Sequence, residues 1–354
     1  MMKHLKGYKG FKQGLICRDK QYKENTVFEE DKAIVCSKGM HFCTNPLDVL
    51  DYYDLVNEDG TFSEYTEVEA LADSVTDDNK KYCTTKLKIG VKLGFAGFIK
   101  ACVNFLIEKT SFQQDDINSG DFAQIGSSGN FAQIGSSGNF AQIGSSGDFA
   151  QIGSSGNFAQ IGSSGNSAQI GSSGNSAQIG SSGNSAKIGS SGNSAQIGSS
   201  GNSAQIGSSG NSAQIGSSGN FAQIGSSGDF AQIGSSGNSA QIGSSGDFAQ
   251  IGSSGNSAQI GSSGNSAQIG SSGDFAQITS KGKHSVVMAA GCYSRVKAKI
   301  GSWITLVEWV RTDEQTEKGY AIWIPKCVRT EYVDGEHIKE DTFYKLKDGE
   351  FVEC

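Results

Sequence analysis

From Ser119 to Ser280 the chain repeats one apolar–polar pattern, Ser-Gly-Asn/Asp-Phe/Ser-Ala-Gln-Ile-Gly-Ser, 18 times without insertion or deletion. The first and last isoleucines of the series, Ile125 and Ile278, lie 153 residues apart, which is 17 periods of nine. Only Lys187, in place of Gln, and Thr279, in place of Gly, break the fixed positions. Such fidelity points to recent tandem duplication and a copy number that changes easily. In a unit such as Phe131-Ala132-Gln133-Ile134, the two-residue period of a strand turns Ala132 and Ile134 inward and Phe131 and Gln133 outward. The exchange of Phe for Ser at position four supports this, because a packed interior does not tolerate that change of volume. The Gly-Ser-Ser-Gly-Asn segment supplies the turn, since Gly and Asn accept positive φ.

One strand and one turn cannot close around a core, but two units can. The pattern therefore predicts an 18-residue coil of two short strands facing each other across a thin interior of Ala and Ile, with Asn residues stacked in turn ladders. Nine such coils at ~4.8 Å make a rod of roughly 43 Å. A disordered Gly/Ser linker would hold no apolar residue in register, and collagen would need a Gly-X-Y period.

The flanks have other periods. Residues 1–118 read as an α+β domain, with short strands near 14–17, 27–29, 33–36 and 65–71. A helix starts at Pro46 behind the cap Asn45. A second helix is expected over 87–108, after a strand, and 75–81 is expected as a solvated connection. After Ser280 the repeat decays: Val286, Met288, Val296, Ala298 and Ile300 continue an inward alternation, as a cap should. Stretches 304–309, 320–330 and 342–346 read as antiparallel strands, with Asp334-Gly335 and Asp348-Gly349 as hairpin turns. Such a domain would cover the open end of the rod. The expected fold is mainly β: a parallel β-solenoid over 119–302 between an α+β domain, 1–118, and a small antiparallel β domain, 303–354.

Charge and chemistry narrow the function. The formal net charge of −7 disfavours a nucleic-acid partner, which rewards Lys and Arg. The eight cysteines form no Cys-x-x-Cys pair, and the start MMKHLKGYKG lacks the apolar core of a secretory leader. Reduced, mostly buried thiols in a cytosolic protein are expected. The most apolar stretch, 95–107, is too short to span a bilayer. The four histidines, His4, His41, His284 and His337, are dispersed, so neither a metal site nor a cofactor is expected.

The outward residues carry what specificity the repeats have. Phe fills position four at Phe122, Phe131, Phe140, Phe149, Phe158, Phe221, Phe230, Phe248 and Phe275, whereas six consecutive central repeats carry Ser. Alternate repeats fall on opposite sides, so Phe122, Phe140 and Phe158 form one row and Phe131 and Phe149 another. Exposed aromatic rows mark a contact surface; the alternative is that the N-terminal domain folds back over them. The Ser-only repeats between them read as a passive spacer. An ice or carbohydrate surface is disfavoured, since no Thr-x-Thr array is present and Phe would interrupt it.

Four resemblances add expectations. The nonad is similar in length to the calcium-binding nonapeptide β-roll, but only Asp121, Asp148, Asp229, Asp247 and Asp274 carry its turn aspartate, so calcium ligation is not expected. Asn-Ser-Ala-Gln-Ile-Gly, and the stretch 283–291, resemble the β-roll heads of trimeric adhesins. Gly39-Met40-His41-Phe42-Cys43 and the helix after it resemble the central motif of ADP-ribosyltransferase folds. That resemblance implies a nucleotide site using Arg18, His41, Tyr53, Glu67 and Glu69. The alternative is that His41 and Tyr53 are packing residues and the two glutamates face solvent. Taken whole, Gly7–Phe11, Asn45–Tyr53, Gly301–Leu306 and Asp348–Val352 resemble a phage and prophage family that joins such ends to Gly/Ser-rich repeats. The leading expectation is a non-enzymatic interaction scaffold that presents its end domains to a host protein, such as a defence complex, or self-associates. The others are an ADP-ribosyltransferase-like enzyme on a stalk and a structural virion fibre.

Overall fold

The computed structural model describes residues 5–57, 61–110 and 120–354. His4 and the expected boundary at 118/119 lie outside these residues. The protein is mainly β, built on a parallel solenoid with small antiparallel regions at both ends of the chain.

Each nonad contributes one four-residue strand. These strands, β10 to β27, begin at Gln124–Ser127 and recur every nine residues to Gln277–Ser280. Pairing is parallel, in register and always to the strand 18 residues on, as in Ile125↔Ile143 and Ile134↔Ile152. Odd and even repeats thus build two sheets. A degenerate tenth coil follows in β28 (Val286–Ala289) and β29 (Arg295–Lys297). Ala and Ile fill the interior, as expected, and the strand-ending Ser turns inward beside them.

The turn differs from its expected chemistry. The strand is Gln-Ile-Gly-Ser, and position four lies in the turn, where Phe and Ser take φ of 54–62°. No glycine of the 18 nonads has positive φ. What the turn glycine provides is clearance. A Cβ on Gly201 would collide with the carbonyl of Gly183 in the previous coil, and the turn glycines from Gly138 to Gly273 repeat the clash. The Asn ladder forms through one oxygen: Asn139 Oδ1 accepts the Asn157 N–H at 3.0 Å, and Asp229 Oδ1 accepts that of Asp247 at 2.9 Å. Asn and Asp are interchangeable because only an acceptor is needed.

At the C-terminal end both sheets continue. β30 (Trp303–Gln315) joins β28 in parallel and turns back through β31 (Ala321–Tyr332). β32 (Tyr344–Lys347) and β33 (Glu350–Glu353) form an antiparallel hairpin on β29. Asp348-Gly349 is the expected hairpin turn, whereas Asp334-Gly335 links the two sheets instead of two paired strands. The expected inward alternation is off by one at its start. Val287 and Ala289 are buried, while Val286, Met288 and Ile300 are exposed.

The N-terminal region is an antiparallel sheet of seven strands: β1 (Leu5–Phe11), β4 (Val27–Glu29), β5 (Met40–Cys43), β6 (Glu64–Ala70), β7 (Ser74–Thr76), β8 (Lys81–Thr84) and β9 (Lys86–Leu93). A two-stranded hairpin, β2 (Ile16–Cys17) with β3 (Lys20–Gln21), stands beside it. Residues 33–36, expected as a strand, make only an isolated bridge from Ile34 to Lys38. The stretch 75–81, expected as a connection, is largely the β7–β8 hairpin. Residues 87–93 are strand because Leu87 and Ile89 alternate inward, so the helix α1 (Phe95–Thr110) starts later than expected. The segment Pro46–Asp51 is a 3-10 helix capped by Asn45, whose Oδ1 accepts the Leu47 N–H at 3.0 Å.

The N-terminal region lies along the side of the rod. α1 packs on the strands of one sheet from β11 to β21, so the rod does not hold two domains apart at its tips.

Candidate functional site

The solenoid has two broad faces of the same sequence, and they are used differently. On the face formed by β11, β13 and their successors, the glycines after Ile are buried. Leu106 and Val103 of α1 sit on Gly189, Ile99 on Gly207 and Gly225, and Phe95 on Gly225 and Gly243, with Phe62 over Gly261. The glutamines beside them serve as polar clamps. Gln205 Nε2 donates to Asp51 Oδ1 at 3.2 Å, Gln223 Nε2 to the Leu50 carbonyl at 3.3 Å, and Gln241 Oε1 accepts the Leu55 N–H at 3.1 Å.

Both breaks in the repeat lie on this covered face. Lys187 forms an ion pair with Asp48 of the 3-10 helix, and both side chains are largely buried. Thr279 is buried where the other strands have Gly. The Ser-only central repeats, through β15, β17 and β19, therefore carry part of the docked domain and are not the passive spacer expected from sequence.

On the opposite face, formed by β10, β12 and their successors, Gln and Gly stay exposed. Among the described residues nothing lies within 4 Å of a Cβ built on Gly126, Gly144, Gly162, Gly180, Gly198, Gly216, Gly234, Gly252 or Gly270. The result is a furrow of about 1660 Å³ along the rod.

The nine Phe stand on the two narrow edges, and their side chains remain exposed, residues being 44–70% accessible. Phe122, Phe140 and Phe158 stack at 5.0 Å on one edge, and Phe131 and Phe149 at 5.0 Å on the other. Phe230 and Phe248 stack at 5.2 Å, and Phe275 continues into Tyr293 and Trp323. The fold-back thus occupies the glutamine–glycine face and leaves the aromatic files open.

The N-terminal sheet carries a cleft of about 720 Å³ that brings together Arg18, His41 and Tyr53. Glu67 and Glu69, on β6, do not line it. Six cationic side chains, Lys9, Lys12, Arg18, Lys20, Lys38 and Lys81, line it with Asp19 and Glu30. Tyr53 packs on Gly10, where a Cβ would lie 2.7 Å from the ring, so the Lys-Gly-Phe strand and the Asp-Tyr-Tyr segment meet here. Burial, then the nearby thiol of Cys17, raises the pKa of Tyr53; its hydroxyl and Cys17 Sγ are 2.7 Å apart. Burial, then the charges of Lys9, Lys81 and Arg18, hold His41 below its ordinary pKa, and its Nε2 accepts the Cys36 N–H at 3.1 Å. Burial also lowers the pKa of Lys9, whose ammonium donates to the His41 carbonyl at 2.9 Å. Arg18 and Cys36 line the cleft with φ of 54° and 60°, a conformation that non-glycine residues adopt under constraint.

Among the described residues no group of three His, Cys, Asp or Glu could hold a metal ion, and no helix is long and apolar enough to cross a membrane. All eight cysteines are free; Cys43, Cys83 and Cys102 are buried, and Cys36 and Cys354 exposed.

A family model described as a domain of unknown function (DUF7666) matches residues 5–101, from β1 into α1. No curated protein and no solved structure matches the chain.

Proposed function

We propose that this chain is a non-enzymatic interaction protein, encoded by a phage or prophage, that binds a protein of the bacterial host cytosol. The observation that carries this reading is the pair of stacked, open Phe files on the rod edges. Burial of one Phe stabilises an interface by about 1.5–3 kcal/mol, so a file of several suffices for one. Replacing Phe122, Phe131, Phe140, Phe149 and Phe158 by Ser tests it, since Ser already occupies that turn in nine other repeats. The variant should fold, by circular dichroism, and lose the host protein that the parent captures. A variant that captures it equally well removes the edges from the reading.

A second reading is favoured by the cationic cleft, which gathers Arg18, His41 and Tyr53 beneath aromatic walls. It is a nucleotide-binding site of the ADP-ribosyltransferase type, although Glu67 and Glu69 stand outside it. Calorimetric titration with NAD decides: binding that His41→Ala removes would promote this reading over the first.

A further inference from the structure

The two broad faces of the solenoid offer the same residues, and the protein shows what one of them holds. Along the covered face α1 runs with the stacking axis: Phe95 lies over Gly225 and Gly243, Leu106 over Gly189. Eleven residues of helix rise about 16.5 Å, and the three coils from Gly243 to Gly189 span about 14.4 Å. One helical turn therefore advances by close to one coil. A row of residues without Cβ makes the furrow, aliphatic side chains three and four residues apart fill it, and glutamines line its rim.

The open furrow has the same geometry, and among the described residues nothing occupies it. It also acquires an apolar end. The register places Val286 in the glutamine row, which continues outward through Trp303 and Tyr332, and Met288 in the glycine row, which continues through Thr305 and Thr330. Val286, Met288, Trp303 and Tyr332, with Val328 on the same strand as Tyr332, are 43–57% exposed, and the Trp303 and Tyr332 rings lie 5.1 Å apart. Continuous exposed apolar surface of this kind is a contact surface.

We propose that the open furrow docks an α-helix of the partner protein, with an aliphatic stripe spaced like Phe95, Ile99, Val103 and Leu106, anchored at the Val286–Met288–Trp303 end. The proposal rests on the protein-binding reading but uses a different surface from the Phe edges. A second copy fits less well. Its own α1 is already buried on its own rod, and two furrows face to face would leave an empty channel. The furrow carries no charged residue, so the occupant's contacting stripe is uncharged.

The test uses the intact chain and a fluorescent peptide of residues 94–110. Cys102 is replaced by Ser, and a crosslink joins positions 100 and 104, which α1 turns to solvent. Fluorescence anisotropy should show saturable binding. Filling the furrow with Gly198→Phe and Gly216→Phe, where space is open, should weaken binding by about tenfold or more with the melting temperature unchanged. Met288→Ser with Trp303→Ser should weaken it too, and the five-Phe variant should bind like the parent. Absence of saturable binding, or equal binding by the filled-furrow variant, overturns the proposal. A concentration-dependent dimer that the same Gly→Phe pair abolishes would also overturn it, assigning the furrow to a second copy. Peptide binding can fail while the Phe edges still capture the host protein, so the two readings fall separately.

Discussion

The covered and open faces of the rod share the strand Gln-Ile-Gly-Ser, yet one buries its glycines beneath a helix and the other leaves them bare. The difference arises from what the chain supplies, not from the repeat. The covered face gains one cation, Lys187, and the neighbouring 3-10 helix supplies its anion, Asp48. A nearly uniform surface thus acquires a unique address by one substitution. The apolar contacts of Ile99, Val103 and Leu106 give area, but any coil would serve them equally. The ion pair selects the coil.

The largest effect should separate two kinds of glycine within one repeat. Gly201→Ala places a methyl group against the Gly183 carbonyl and should cost more than about 3 kcal/mol or prevent folding. Gly198→Ala, three residues earlier on the open furrow, should stay within about 0.5 kcal/mol. Gly225→Ala, its counterpart under Ile99, should cost about 1–3 kcal/mol by displacing that side chain. Equal unfolding curves for Gly198→Ala and Gly225→Ala would break the comparison between the faces.

The address itself comes next. Lys187→Ala strands the carboxylate of Asp48 in a largely buried site and should cost about 3 kcal/mol in equilibrium unfolding. The double variant Lys187→Gln with Asp48→Ala leaves no unpaired charge and should recover most of that loss. If Lys187→Ala unfolds like the parent, the contact is incidental and the helix alone positions the domain.

Much of the solenoid was legible because one pattern was written many times. The inward Ala and Ile, the two-unit coil, the Asn ladder and the alternation of Phe files all follow from period and chemistry. The turn was misread because Gly and Asn are the residues that ordinarily take positive φ, while here a Phe or Ser does. Its position is fixed by the coil above, to which the Phe122 N–H donates at the Asn139 carbonyl, 2.8 Å away. Val286 and Met288 were read one position out of register, since apolar residues were assumed to point inward. At the cleft, Arg18, His41 and Tyr53 were found through a resemblance, whereas the lysines around them carry no local pattern. The fold-back was not legible in any single motif. Lys187 and Thr279 are the only breaks in the repeat, and a lone charge in an invariant array is the signal that marks the docking coil.

The two sheets are tied together at the C-terminal end through Glu308. It accepts from Lys326 Nζ at 3.0 Å on its own sheet and from the Asp348 and Gly349 N–H groups, at 3.0 and 2.8 Å, on the other. These bonds, the lysine's first, hold its pKa down at about 2 against an ordinary 4.5. The folded value is the lower one, so its contribution is complete above about pH 4.5 and is lost as pH falls toward 2. Glu308→Gln should flatten the fall of melting temperature across that window. An unchanged slope would mean that the sheets are held by packing alone.

The smallest effect tests whether the two faces share one backbone. Ser194 and Ser203 precede strands on the open and the covered face, with φ of 56° and 57°. A left-handed conformation costs an L-residue about 1–2 kcal/mol, and Gly gives back about 0.5–1 kcal/mol through the freedom it adds to the unfolded chain. Ser194→Gly should therefore stabilise the protein by about 0.5–1 kcal/mol, and Ser203→Gly should do the same. The strain is local to the turn, so a docked domain should not alter it. Denaturant midpoints that rise equally for both variants would place the asymmetry wholly in side chains. If Ser203→Gly alone departs from this, the docked domain has bent the coil beneath it, and the faces differ in backbone as well as in occupancy.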